Sequence, residues 1–118
     1  MAAKDKVHQR VVNYRRIIEE LLARWAAVPN LEEGVRDRTV FDEQNDRYAV
    51  ISEGWDRGER IHHVVADLEI INGKVWIQAD NTDIVIAREL EAQGIPKSDI
   101  VLGFRPAAVR AESEYAAA

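Results

Sequence analysis

The chain has 118 residues, 47% of them apolar, enough for one hydrophobic core and one domain over residues 1–118. Its net charge of −5, from 21 acids and 16 bases, argues against a broad nucleic-acid footprint. With no cysteine it has no disulfide, thiol nucleophile or thiolate metal site. No apolar run approaches the roughly 18 residues of a membrane span and no signal peptide is recognised, so a cytoplasmic protein that does not enter a membrane is expected.

The first element predicted is a long helix capped by Asp5. Val7, Val11, Tyr14, Ile18, Leu21, Trp25 and Val28 recur at four- and three-residue steps, and Ile17 and Leu22 widen the stripe. Pro29-Asn30 ends it. Such a helix is expected to lie across a sheet, with Trp25 in the core; three heptads are short for a coiled-coil seam. Glu32 to Asp37 reads as a polar loop.

Four strands follow. Thr39-Val40-Phe41 begins the first, Tyr48 to Trp55 forms the second, Ile61 to Ile71 the third and Lys74 to Ala79 the fourth. Turns are expected at Glu43 to Asp46, at Asp56 to Glu59 and at Asn72-Gly73, where both positions tolerate positive φ. The fold class is therefore α+β: an antiparallel meander of about four strands, a long N-terminal helix on one face and a shorter helix after the last strand.

Two-residue loops at Arg57-Gly58 and Asn72-Gly73 imply a register. Ile70 faces Val75, Leu68 faces Ile77, Ala66 faces Ala79, Ile51 sits beside Val64 and Ala49 beside Ala66, all on the helix face. The other face is mixed. Tyr48, Asp67 and Gln78 form one of its rungs; Ser52 pairs with His63, Glu69 with Trp76 and Val50 with Val65. A wholly solvated face rarely carries Trp, Tyr and two Val, so coverage by the C-terminal segment or by another molecule is expected. Tyr48, Trp55, Val65, Asp67, Trp76 and Gln78 are the candidate contacts, and a homodimer or a heteromer would hide them.

After Asp80 the period changes. Thr82 or Asn81 can cap a helix carrying Ile84, Ala87 and Leu90, which Gly94 and Pro96 end. Ile100-Val101-Leu102 is a short apolar return, and a mostly polar tail runs to Tyr115.

Little chemistry is encoded. His62 and His63 are neighbours on a strand and point to opposite faces, so they do not share a metal. Asp67 and Glu69 share a face, but a metal nuclease needs a further carboxylate and a better-placed lysine than Lys74. Asp80 and Asp83 read as turn and cap residues. There is no phosphate loop, and spacing suggests no Ser/His/Asp set. No catalytic, cofactor or metal residue is assigned, and no enzyme is expected.

Several groups of residues together resemble the XisI family, the fdxN-element excision controlling factors. The first are Phe41-Asp42, Gly54-Trp55-Asp56 with Arg60, and Gly73 to Gln78. Asp80, Thr82 and Asp83 follow, then Ile86-Ala87 with Glu89-Leu90, Gly94 to Lys97, Asp99 to Phe104, and finally Arg110, Tyr115 and Ala116. The family tends to have His where this chain has Asp67, and Thr-Glu where it has Thr82-Asp83. The resemblance implies a small α+β protein that works beside a second factor, XisH, in excision of a DNA element by a separate recombinase. XisH-type proteins resemble nucleases, so the resemblance also implies an alternative, an antitoxin-like or immunity-like inhibitor of a nuclease-like partner. It implies no catalytic residues and no cofactor. The charge pattern predicts no direct high-affinity DNA binding: Arg15-Arg16 precedes Glu19-Glu20, Arg36 and Arg38 flank Asp37, and Arg57 and Arg60 flank Glu59.

Overall fold

The computed structural model describes residues 2–118, with side chains from Lys6 onward. Helix α1 (Ala2–Ala27) is followed by strands β1 (Val35–Asp42), β2 (Arg47–Asp56), β3 (Glu59–Ile71) and β4 (Lys74–Asp80). Helix α2 (Ile86–Ala92), a 3-10 turn over Lys97–Asp99, strand β5 (Ile100–Leu102) and helix α3 (Ala107–Ala111) complete the chain. The strands form one sheet in the order β1-β2-β3-β4-β5, antiparallel except for the β4–β5 pair.

The apolar stripe of α1 lies on the sheet as its period predicts. Ile17, Ile18, Leu21 and Leu22 are buried together with Tyr48, Val50, Leu68, Val75 and Ile77. Burial of each large aliphatic side chain is worth roughly 1.5–3 kcal/mol, so this contact outweighs helix propensity in holding α1 in place. The Tyr14 hydroxyl donates to Asp99 (2.5 Å), tying α1 to the 3-10 turn. The helix begins at Ala2, ahead of the cap expected at Asp5, whose side chain lies outside the described residues.

Both two-residue hairpins form. Asn72 and Gly73 have φ of 51° and 77°, Arg57 and Gly58 of 52° and 81°. Ile71 pairs with Lys74 and Asp56 with Glu59. Positive φ at both loop positions matches the right-handed twist of the flanking strands.

The register then departs from strict alternation. In the β2–β3 ladder Ile51 pairs with Val64 but Val50 with Ala66, so Val65 is an extra residue. In the β3–β4 ladder Leu68 pairs with Ile77 but Asp67 with Ala79, so Gln78 is extra. Each is a β-bulge, and the first reverses the faces of β2 and of β3 up to Val64 relative to strict alternation. Tyr48 pairs with Leu68, not Asp67, and both Tyr48 and Val50 are fully buried beneath α1. Val65 is buried as well. Ala49, Ile51 and Val64, expected in the core, lie on the outer face instead. The correction has a packing cause. Tyr48 and Val50 fill the space under α1 better than Ala49 and Ile51, and a bulge is the local means of turning them inward.

Three further expectations are corrected. The polar loop ends at Gly34, because Val35 is buried and the Trp55 N–H donates to the Gly34 carbonyl (3.0 Å), which starts β1 early. A Cβ built on Gly54 would lie 2.0 Å from the Gly34 carbonyl oxygen, so this crossing requires glycine. Helix α2 starts at Ile86, and Asp80 rather than Thr82 or Asn81 holds its start. The Asp80 carboxylate accepts from the Ile86 N–H (2.9 Å) and from the Thr82 N–H (3.1 Å). The apolar return becomes a fifth strand, β5, parallel to β4. At the end of α2 the expectation holds: Gly94 has φ of 106°, Ile95 N–H reaches the Leu90 carbonyl and Gly94 N–H that of Glu91.

Candidate protein-interaction face

The outer face of the sheet divides into two parts. Near β4 and β5 the C-terminal tail covers it. The Arg110 guanidinium lies 5.3 Å over the Trp76 ring and its Nε donates to the Ala117 carbonyl (2.7 Å). Ala116 bridges to Val101. The Tyr115 hydroxyl donates to Glu91 (2.6 Å), and burial together with that carboxylate pushes its pKa up to about 12. Arg88 pairs with Glu91 (3.1 Å) and Glu114, and Lys97 with Glu114 (3.3 Å), so the tail is pinned to α2.

Over β1, β2 and β3 the face is open. Its middle is apolar: Val40 is 52% exposed and Val64 39%, with Ala49 and Ile51 between them, while Trp55, 58% exposed, stands beyond Glu53 at the hairpin end. Cross-strand pairing makes this a strip, since Val40 faces Ala49 and Ile51 faces Val64. Charged pairs frame it. On one side Arg47 grips Asp67 with two hydrogen bonds (2.7 and 2.8 Å) and reaches Glu69 (3.4 Å). Gln78 donates to Glu69 (3.2 Å). On the other, Arg38 pairs with Glu53 (3.0 Å) and Arg60 lies 5.5 Å over the Trp55 ring. Beside that pair a depression of about 350 Å³ is lined by Glu33, Gly34, Arg36, Glu53 and Arg60, among others. An apolar strip with a polar rim is the composition of an interface that forms by contact of surfaces.

Of the six contacts expected from the sequence, Trp55, Asp67, Trp76 and Gln78 stand on the outer face, with Trp76 under Arg110. Tyr48 and Val65 are in the core, as a consequence of the Val65 bulge. The strip residues Val40, Ala49, Ile51 and Val64 went unassigned as contacts in the sequence. A signal for them existed: the unbroken run Val64-Val65-Ala66 cannot alternate, which marks a bulge.

The helix side holds a cleft of about 290 Å³ between the end of α1 and β1 to β3, with His63 on its wall while His62 faces outward. Trp25 Nε1 and Asn30 Nδ2, whose residues line it, are buried without a hydrogen-bond partner among the described residues. The volume admits water that would satisfy both donors. Among the described residues no group of three or more His, Asp or Glu is disposed to hold a metal ion, and no helix is long and apolar enough to cross a membrane.

The family model described as XisI protein matches residues 8–117. The chain belongs to the XisI family. Two solved structures from Anabaena variabilis ATCC 29413 support the assignment. The fdxN element excision controlling factor XisI is 37% identical, with 92% of this chain and 99% of that one covered, at a TM-score of 0.79. A XisI-like protein is 31% identical, with 91% and 98% covered, at a TM-score of 0.85. Among curated proteins none matches. Many of the residues that carry the XisI resemblance brace the fold: Gly54 at the Gly34 crossing, Asp80 at the start of α2, and Arg110, Tyr115 and Ala116 in the docked tail.

Proposed function

We propose that this protein is a non-enzymatic excision controlling factor that acts by protein–protein contact, its outer sheet face receiving an XisH-like protein. One observation carries the reading: the apolar strip of Val40, Ile51 and Val64 lies uncovered in the middle of the sheet, with Trp55 exposed at its hairpin end, while the tail covers the β5 side. The Anabaena relative, an fdxN element excision controlling factor, supplies the role, and the strip supplies a means of contact. Neutralising a nuclease-like partner is the second reading. It uses the same contact, and the net charge of −5 suits a protein that occupies a basic, nucleic-acid-binding surface.

Co-expression with an XisH-like protein, followed by affinity capture and sizing, tests the contact. Ile51→Glu and Val64→Glu alter only the strip and are expected to reduce capture at least tenfold while leaving the melting temperature within a few degrees, as surface changes do. Capture that survives both changes, or no capture by the unaltered chain, removes the proposal. Toxicity of the XisH-like protein expressed alone, relieved by this chain, would favour the second reading.

A further inference from the structure

The two edges of the sheet differ. At β5 the tail closes the edge, where the Ala116 N–H donates to the Ile100 carbonyl (2.9 Å). At β1 the edge is open. Gly34 and Trp55 are hydrogen-bonded, and the β1–β2 ladder runs without a shift from Val35↔Gly54 to Asp42↔Arg47. Even-numbered β1 residues therefore bond to β2, and Asp37, Thr39 and Phe41 turn their N–H and C=O groups outward. Among the described residues no other strand pairs with this edge. A straight, unbulged edge of eight residues is a template for another strand.

We propose that β1 pairs antiparallel with β1 of a second copy of this chain, about a two-fold axis at Thr39, so that two sheets join into one. Self-complementarity selects both occupant and register. Two-fold pairing sets residues of the same face opposite each other. An axis at Asp37 or Arg38 sets arginine against arginine, Arg36 on Arg38 or Arg38 on itself. An axis at Val40 or Phe41 leaves Arg36 and Asp37 beyond the end of the other copy's strand at Asp42. Only the axis at Thr39 pairs every residue from Arg36 to Asp42, and it places Arg36 opposite Asp42 of the second copy at both ends. These are the two charges of the strand's outer face left over. Neither Arg36 nor Asp42 has an ion pair among the described residues, the Asp42 carboxylate accepting hydrogen bonds from Asn45 in its own turn. Thr39 is exposed and meets its own copy, a favourable cross-strand pair. The outward backbone groups of Asp37, Thr39 and Phe41 then bond to those of Phe41, Thr39 and Asp37.

The chain alone suffices for the test, so the result stands apart from the functional reading. Light scattering at micromolar concentration should give a dimer. Thr39→Pro removes an outward N–H and no bond to β2, an edge position where proline is tolerated, and should yield a folded monomer. Because the chain lacks cysteine, single cysteines report the register. Under mild oxidation Thr39→Cys should cross-link at least fivefold more than Arg38→Cys or Val40→Cys, since facing Cα atoms about 5.5 Å apart lie within disulfide reach and diagonal ones do not. Arg36→Asp should weaken the dimer at least tenfold, and adding Asp42→Arg should restore it. A monomer without cross-links, a dimer indifferent to Thr39→Pro, or cross-linking strongest at residue 38 or 40 would overturn the proposal.

Discussion

Glu19 shows how one misplaced charge sets a pH dependence. It lies on α1 with one carboxylate oxygen buried and without a hydrogen-bond partner among the described residues. Burial pushes its pKa above the ordinary glutamate range, and the Glu43 carboxylate beside it pushes the same way. The folded chain thus binds this proton more tightly than the unfolded chain. Stability contributed here is full at low pH and falls as pH rises from the ordinary glutamate value through the raised one. Glu53 and Glu114, held low by Arg38 and Arg88, act in the opposite sense and lose their contribution as pH falls through the lowered values. Glu19→Gln should therefore stabilise the protein at neutral pH by about 0.5 kcal/mol, the scale of a like-charge pair, and remove the falling limb. Thermal melts at about pH 4.5 and 7 measure it, these values bracketing the window above a normal carboxylate. A variant whose melting temperature tracks the parent at both would show that the pair does not interact. Nearby, Arg15 is well partnered: its Nε donates to Asp46 (2.9 Å) and to the Tyr48 hydroxyl (3.0 Å), which itself donates to Asp46 (2.7 Å).

The strands tolerate a polar intrusion on one face only. Ile77 is 1% exposed on β4, between Leu68 of β3 and Leu102 of β5. Ile77→Asp places a carboxylate there without a partner and should cost about 3–5 kcal/mol, a large share of the 5–15 kcal/mol by which a domain is stable. Arg16 is exposed on α1 and pairs with Glu20 (3.1 Å), so Arg16→Ala should cost about 0.5 kcal/mol at most. Thermal denaturation of the two variants side by side gives the comparison. Equal melting temperatures would mean that β4 does not present Ile77 to α1.

The whole molecule is poorly built for DNA on its own. The fold ties up several of its arginines in ion pairs: Arg38 with Glu53, Arg47 with Asp67 and Glu69, Arg88 with Glu91 and Glu114. Duplex affinity depends on clustered cations that displace counterions, and the net charge of −5 opposes it. The isolated protein should bind duplex DNA with a Kd no tighter than about 1–100 μM, the non-specific range. Fluorescence anisotropy with a labelled duplex at near-physiological salt checks this. Submicromolar binding with a steep salt dependence would point to a basic surface assembled from Arg36, Arg38 and Arg60 beside the Glu33–Gly34 turn.

Local sequence determined α1, the two hairpins and the end of α2, because each depends on residues a few positions apart: an apolar period, Asn72-Gly73 and Arg57-Gly58 loops that accept positive φ, and Gly94 before Pro96. The family resemblance was legible for a related reason, since turns and caps need particular residues at particular spacings. Tertiary structure alone decided which face of β2 is the core. Tyr48 and Val50 compete with Ala49 and Ile51, both sets are apolar, and alternation cannot rank them. The choice belongs to α1, whose buried side chains leave room that Tyr48 fills, and the Val65 bulge follows from it. The same holds for β5 and the tail. Three residues are too few to show a period, and the polar stretch around Tyr115 gains its place only from Glu91, Trp76 and Ile100, which are distant in the chain and adjacent in the fold. The contact strip was therefore hidden in the sequence, because it consists of apolar residues that the core declined.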